Sequence, residues 1–123
     1  MKIRIYDDTI RLRLDRSEVE QIGAGDPVVC RTHFVDGSEF IYQLCQHEDE
    51  QVTATFADGC ISVMLPVSTA QHWAGTETEI TIRGEQPLDS GALALLIEKD
   101  FECLDPREGE DQSNRFKNPK ASC

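Results

Sequence analysis

Apolar and polar residues alternate twice within the first fourteen positions. Ile3 and Ile5 alternate with Lys2, Arg4 and Tyr6, and Ile10, Leu12 and Leu14 alternate with Arg11 and Arg13. A period of two is the signature of a half-buried strand. The intervening Asp7-Asp8 makes the pair a hairpin. Asp15-Arg16-Ser17 then opens a helix with Val19 and Ile22 as its apolar stripe. Ser17 and Glu20 have the spacing of a capping box, and Gly23-Ala24-Gly25 closes the helix. Val28 to Phe34 reads as a third strand and Glu39 to Cys45 as a fourth, joined through Val35-Asp36-Gly37-Ser38.

The order then repeats. Gln51 to Phe56 and Cys60 to Leu65 form a hairpin through Ala57-Asp58-Gly59. A helix runs from Pro66-Val67-Ser68 through Trp73, which anchors it on the sheet, to Ala74-Gly75. Strands at Glu77 to Arg83 and Gly91 to Phe101 follow, separated by a loop from Gly84 to Ser90. At an offset of 51 residues Asp7 matches Asp58, Ile10 matches Ile61, Leu14 matches Leu65 and Ser17 matches Ser68. Units of this size cannot bury their own apolar face and need a second copy. The expected fold is therefore α+β: a tandem ββαββ repeat in an eight-stranded, mostly antiparallel sheet or barrel with two short helices. Residues 1–104 form one domain, with pseudo-repeats 1–51 and 52–104, and residues 105–123 form a polar tail.

The 123 residues fit one domain and carry a formal net charge of −11. Such acidity argues against nucleic acid or an anionic membrane as partner, because phosphate binding needs a cationic surface. The N-terminus enters a strand pattern with no apolar leader, and the longest apolar run, Ala92 to Ile97, is too short for a bilayer. The five cysteines, Cys30, Cys45, Cys60, Cys103 and Cys123, form no CxxC and read as free thiols of a cytoplasmic protein.

Overall acidity hides an asymmetry. Lys2, Arg4, Arg11, Arg13, Arg31 and Arg83 all fall on expected strands, as does Lys99, while most acids fall in loops, the first helix and the tail. If the sheet curls, these guanidinium groups line a groove or tunnel suited to bidentate contact with a phosphate or carboxylate. The simpler reading is a solvated face, since arginine stems cover strands well. Cys45 and His47 share a strand face and offer two metal ligands, with Cys30, His33 and His72 as distant candidates. The spacing supplies no third ligand, so no metal is expected. No nucleophile motif surrounds any cysteine or serine. Asp7-Asp8, Glu98 with Asp100, and Glu108 with Glu110-Asp111 pair carboxylates without marking a pocket. No cofactor is implied.

Two resemblances add to this reading. Glu98-Lys99-Asp100-Phe101-Glu102-Cys103-Leu104, the Glu110-Asp111 pair, Phe116-Lys117-Asn118-Pro119 and the final Cys123 form a series of elements. Together with the opening Met1 to Ile5, Ile10 to Leu14 and Ser17-Glu18-Val19, they resemble a family of short, uncharacterised bacterial proteins. That resemblance implies no substrate and no catalytic residue, but it implies that the tail, with Cys103, Cys123 and the lone aromatic Phe116, docks rather than floats. The two-copy order is also similar to the CYTH-like tunnel phosphatases. Their metal-binding ExExK strand is replaced here by Lys2-Ile3-Arg4-Ile5-Tyr6, so at most the fold and an anion preference carry over. The expected function is a non-enzymatic binding or accessory domain, and the alternative is binding or processing of a phosphorylated or other anionic small molecule by an arginine-lined concave sheet face; the expected partner is a small anion or a protein.

Overall fold

The computed structural model describes residues 1–101. Its elements are β1 (Lys2–Tyr6), β2 (Thr9–Leu14), α1 (Arg16–Gly23), β3 (Val28–His33), β4 (Glu39–His47), β5 (Thr53–Ala57), β6 (Cys60–Pro66), α2 (Val67–Gly75), β7 (Thr81–Leu88) and β8 (Gly91–Lys99). The β1–β2 and β5–β6 turns place Asp7 and Asp58 at φ 47° and 52°. Aspartate is among the few residues besides glycine that enter this region readily. The repeat match between these two residues therefore reflects one turn built twice.

The eight strands divide into two mixed sheets, ordered β1-β2-β8-β7 and β3-β4-β6-β5. In each sheet the two outer pairings are antiparallel and the central one is parallel. Each copy sends its first hairpin into one sheet and its second into the other. The two sheets do not close into a barrel. Side-chain hydrogen bonds link the two: the Ala54 amide donates to Gln86 Oε1 (2.9 Å), and Tyr42 Oη donates to the Met1 carbonyl (2.7 Å).

The apolar rows face inward. Leu12, Leu14, Leu44, Val63, Leu65, Leu95 and Ile97 are buried, together with Val19, Ile22, Ala70 and Trp73 of the helices. Trp73 does anchor its helix, as its Nε1 donates to the Ile80 carbonyl at 3.1 Å. The helices touch at Gly23 and Ala74, which are 51 residues apart and so occupy equivalent positions. A Cβ on Gly23 would come within 2.4 Å of the Ala74 Cβ. One copy needs glycine here so that the other can keep its methyl group.

Two local expectations are corrected. The α1 capping box is Asp15 with Glu18, not Ser17 with Glu20. The helix begins directly after β2, so the cap falls two residues earlier, and Ser17 instead donates its hydroxyl to Asp15 Oδ1 at 2.9 Å. The seventh strand is Thr81–Leu88 rather than Glu77 to Arg83. It takes in Gly84 and Pro87, two residues that usually break strands. β7 is an edge strand, so Pro87 can lack an amide without leaving a gap in the sheet. At Gly84 a Cβ would lie 2.8 Å from the Val52 Cβ, so the neighbouring side chain occupies the space that glycine leaves.

Candidate functional site

The expected basic residues are best located by strand register. Lys2 pairs with Arg13 and Arg4 with Arg11 across β1 and β2. Arg11 pairs with Leu96 of β8, and Leu96 with Arg83 of β7. Arg4, Arg11, Leu96 and Arg83 thus form one row across the sheet, roughly 14 Å wide at ordinary strand spacing. Lys2, Arg13, Glu98 and Thr81 form the next row, roughly 7 Å away along the strands. Of the eight Lys and Arg residues within 1–101, five share this face. Arg31 does not. It lies on β3 in the other sheet, opposite Ile41, with its Nη1 3.4 Å from Glu39 Oε2.

The face turns away from the core. Ile3, Leu12, Ile97 and Ile82 fill the inward row between the two basic rows. The arginines therefore do not line a tunnel between the copies. That interior is apolar, and several guanidinium groups inside it would incur a large desolvation cost. The outer face of the second sheet carries Val29, Gln43, Ser62 and Thr55 in one row and is close to neutral.

Two of the five basic groups have acidic partners. Arg11 Nε lies 2.7 Å from Glu98 Oε1, although that oxygen has no aligned hydrogen bond. Lys2 Nζ lies 3.2 Å from Asp100 Oδ2. Arg4, Arg13 and Arg83 form no ion pair among the described residues. Arg83, Glu85, Ala94 and Leu96 border a shallow depression of about 340 Å³. Tyr6 projects from the same face and is 72% exposed. It completes the β1 alternation of Lys2, Arg4 and Tyr6, so the sequence pattern carried the signal for it although its role was not assigned. Glu98 and Asp100, which temper the face, stand out in the sequence only as a carboxylate pair.

A second cleft, of about 620 Å³, lies beside the helices and is lined by Arg16, Glu20, Thr76, Glu77, Lys99 and Phe101 among others. Its charges are mixed. Lys99 is already engaged, donating to the Thr76 carbonyl at 2.5 Å and lying 5.4 Å from the Trp73 ring centre. The cleft therefore has no excess of free cations to attract an anion.

The thiol and imidazole groups are dispersed. Cys45 sits opposite Met64, and His47 Nε2 is 2.7 Å from the Gln51 carbonyl. No three His, Cys, Asp or Glu residues among those described are grouped to hold a metal ion. Burial, and then the neighbouring Cys60, push the Cys45 thiol above its ordinary range. Cys30, Cys45 and Cys60 are free, while Cys103 and Cys123 lie outside the described residues. No described helix is long and apolar enough to cross a membrane.

Residues 1–120 match the sequence pattern of a family of unknown function. The chain belongs to DUF7009. That span takes in both ββαββ copies and most of the segment after Phe101, so the DUF7009 pattern extends past β8. No curated protein and no solved structure matches the chain.

Proposed function

We propose that this DUF7009 protein is a non-enzymatic cytoplasmic binding domain that takes an anionic partner on the outer face of the β1-β2-β8-β7 sheet. One observation carries the reading: Lys2 opposite Arg13 and Arg4 opposite Arg11 are two like-charge pairs set directly across adjacent strands. Like charges set directly opposite each other cost stability. An acidic chain has ample carboxylates with which to avoid them. Sequences break local folding rules chiefly where function demands it. Arginine also suits the task, because its planar fork grips phosphate or carboxylate oxygens bidentately. The free thiols of Cys30, Cys45 and Cys60 fit a reducing compartment.

Inorganic tripolyphosphate is a suitable probe, since a ligand that binds only the native state raises Tm. At millimolar concentration it is expected to raise the Tm of the wild-type protein. Arg4→Thr relieves the repulsion with Arg11, so this variant alone is expected to melt higher than wild type. Its response to tripolyphosphate is expected to be smaller. An unchanged wild-type Tm at millimolar tripolyphosphate would count against the proposal.

A further inference from the structure

We propose that the corner between the β1–β2 and β5–β6 hairpins docks a partner protein through a cationic segment with apolar anchors. This site is separate from the anion face and does not depend on it.

The corner follows from how the two sheets cross. The Met1 carbonyl, next to the start of β1, accepts from Tyr42 Oη at 2.7 Å and from Cys30 Sγ at 3.6 Å. β1 starts at the helix-side end of its sheet, where Lys2 pairs with Arg13, whereas Tyr42 lies in the turn-side half of β4. The opposite side of the molecule repeats this. Val52, just before β5, fills the space beside Gly84, and the Ala54 amide reaches Gln86 in the turn-side half of β7. On both sides a helix-side end meets the turn-side part of the other sheet. The strands of the two sheets therefore cross steeply, as in orthogonal sheet packing. Two corners are joined by these contacts. A third is filled by α1 and α2, which follow β2 and β6 and pack on each other. The β1–β2 and β5–β6 turns, at the far ends of the same strands, mark the fourth.

Apolar side chains stay open there. Ile5 pairs with Ile10 and Phe56 with Ile61, in rows that face inward. Ile10 and Ile61 are 9% and 8% exposed, yet Ile5 and Phe56 are 52% and 70% exposed. Ile5 and Phe56 stand at the same offset of 51 as the turn aspartates, so both copies leave the same position open. Single exposed apolar residues are ordinary, but two that face one opening form an anchor point.

Charge selects the occupant. Asp7 and Asp8 stand at one turn and Asp58 at the other, with no Lys or Arg in either. None of the three forms an ion pair among the described residues. A second copy would set its own aspartates against these, and an anionic lipid its phosphates, and like charges across an interface are costly. A cationic segment instead matches the rim while its apolar side chains cover Ile5 and Phe56. An apolar centre within a polar rim is the common anatomy of a protein interface.

The test is a calorimetric titration of the full chain with a short end-capped peptide, two leucines flanked on both sides by lysines. Two control peptides replace the leucines by serine or the lysines by glutamate. The leucine–lysine peptide is expected to bind at least about 10-fold more tightly than either control. Ile5→Ser/Phe56→Ser is expected to bind it at least about 10-fold more weakly than wild type. Both side chains are more than half exposed, so the variant is expected to keep a Tm near that of wild type. Asp7→Asn/Asp8→Asn/Asp58→Asn, in which asparagine tolerates the same turn geometry, is expected to weaken binding as well. Both variants are expected to bind tripolyphosphate as wild type does, so this site and the anion face fail separately. Equal binding of the leucine and serine peptides would overturn the inference, as would equal binding by wild type and Ile5→Ser/Phe56→Ser.

Discussion

At the scale of single residues, the α1 cap shows how closely spaced hydrogen-bonding groups compete. Asp15 accepts from the Glu18 amide at 2.9 Å and from the Ser17 hydroxyl, while the Asp15 amide donates to Glu18 Oε1 at 3.0 Å. Those two donors, the amide first, hold the Asp15 carboxyl below its ordinary value of 3.8. A lowered carboxyl pKa means that the folded state favours the ionised form. Its contribution is therefore complete above pH 3.8 and is lost as pH falls through the folded value. Asp15→Ala is expected to be less stable than wild type at pH 7 in urea denaturation, and the gap is expected to narrow below pH 3.8. A gap that persists unchanged at low pH would mean that the cap acts without its charge. The sequence held two overlapping boxes, one from Asp15 to Glu18 and one from Ser17 to Glu20. Composition does not choose between them. The point where β2 ends does, and that is set by the sheet.

At the scale of elements, the two copies were legible as far as the first helix and became obscure afterwards. Through β1, β2 and α1 the offset is a constant 51 residues, down to the turn aspartates and the Gly23–Ala74 contact. Beyond the helices the register moves. Leu44 pairs with Val63 and Ile97 with Leu12, so Leu44 and Ile97 are equivalent at an offset of 53. Val28 and Ile82, which pair with those two residues, are 54 apart. A longer connection after α2 therefore hides the second half of the repeat from any comparison at a fixed offset. The same passage hid β7, because Gly84 and Pro87 read as loop residues until the strand is known to lie at an edge.

The helix contact gives a direct test of the pseudo-symmetry. Gly23→Ala improves helix propensity but drives one methyl group into another. It is expected to destabilise by about 1–3 kcal/mol in chemical denaturation. Adding Ala74→Gly swaps the two residues across the contact and is expected to recover most of that loss, a coupling above about 0.5 kcal/mol. Additive losses would mean that the helices do not meet at this point.

At the scale of the whole molecule, the exchange of hairpins between copies is what gathers the charge. Lys2, Arg4, Arg11 and Arg13 come from the first copy and Arg83 from the second, yet all five reach one sheet because each copy contributes to both sheets. Alternation alone was enough to place the first four on a common strand face. It could not show that Arg83 joins them or that Arg31 goes elsewhere, because strand order in a mixed sheet is a long-range property. Nor could it show that the basic rows point outward. That follows from where the apolar rows find their partners, in the opposite sheet and the two helices.

The most direct measurement is a calorimetric titration of tripolyphosphate into three full-length proteins: wild type, Arg4→Gln/Arg13→Gln/Arg83→Gln, and Arg31→Gln. The triple variant removes the three arginines of the first sheet that have no ion pair among the described residues, and Arg31 serves as a control on the second. Wild type and Arg31→Gln are expected to bind alike. The triple variant is expected to bind at least about 10-fold more weakly, given about 1.5–3 kcal/mol for each charged hydrogen bond lost. Equal binding by all three, or a loss in Arg31→Gln as large as in the triple variant, would contradict a ligand face on the first sheet.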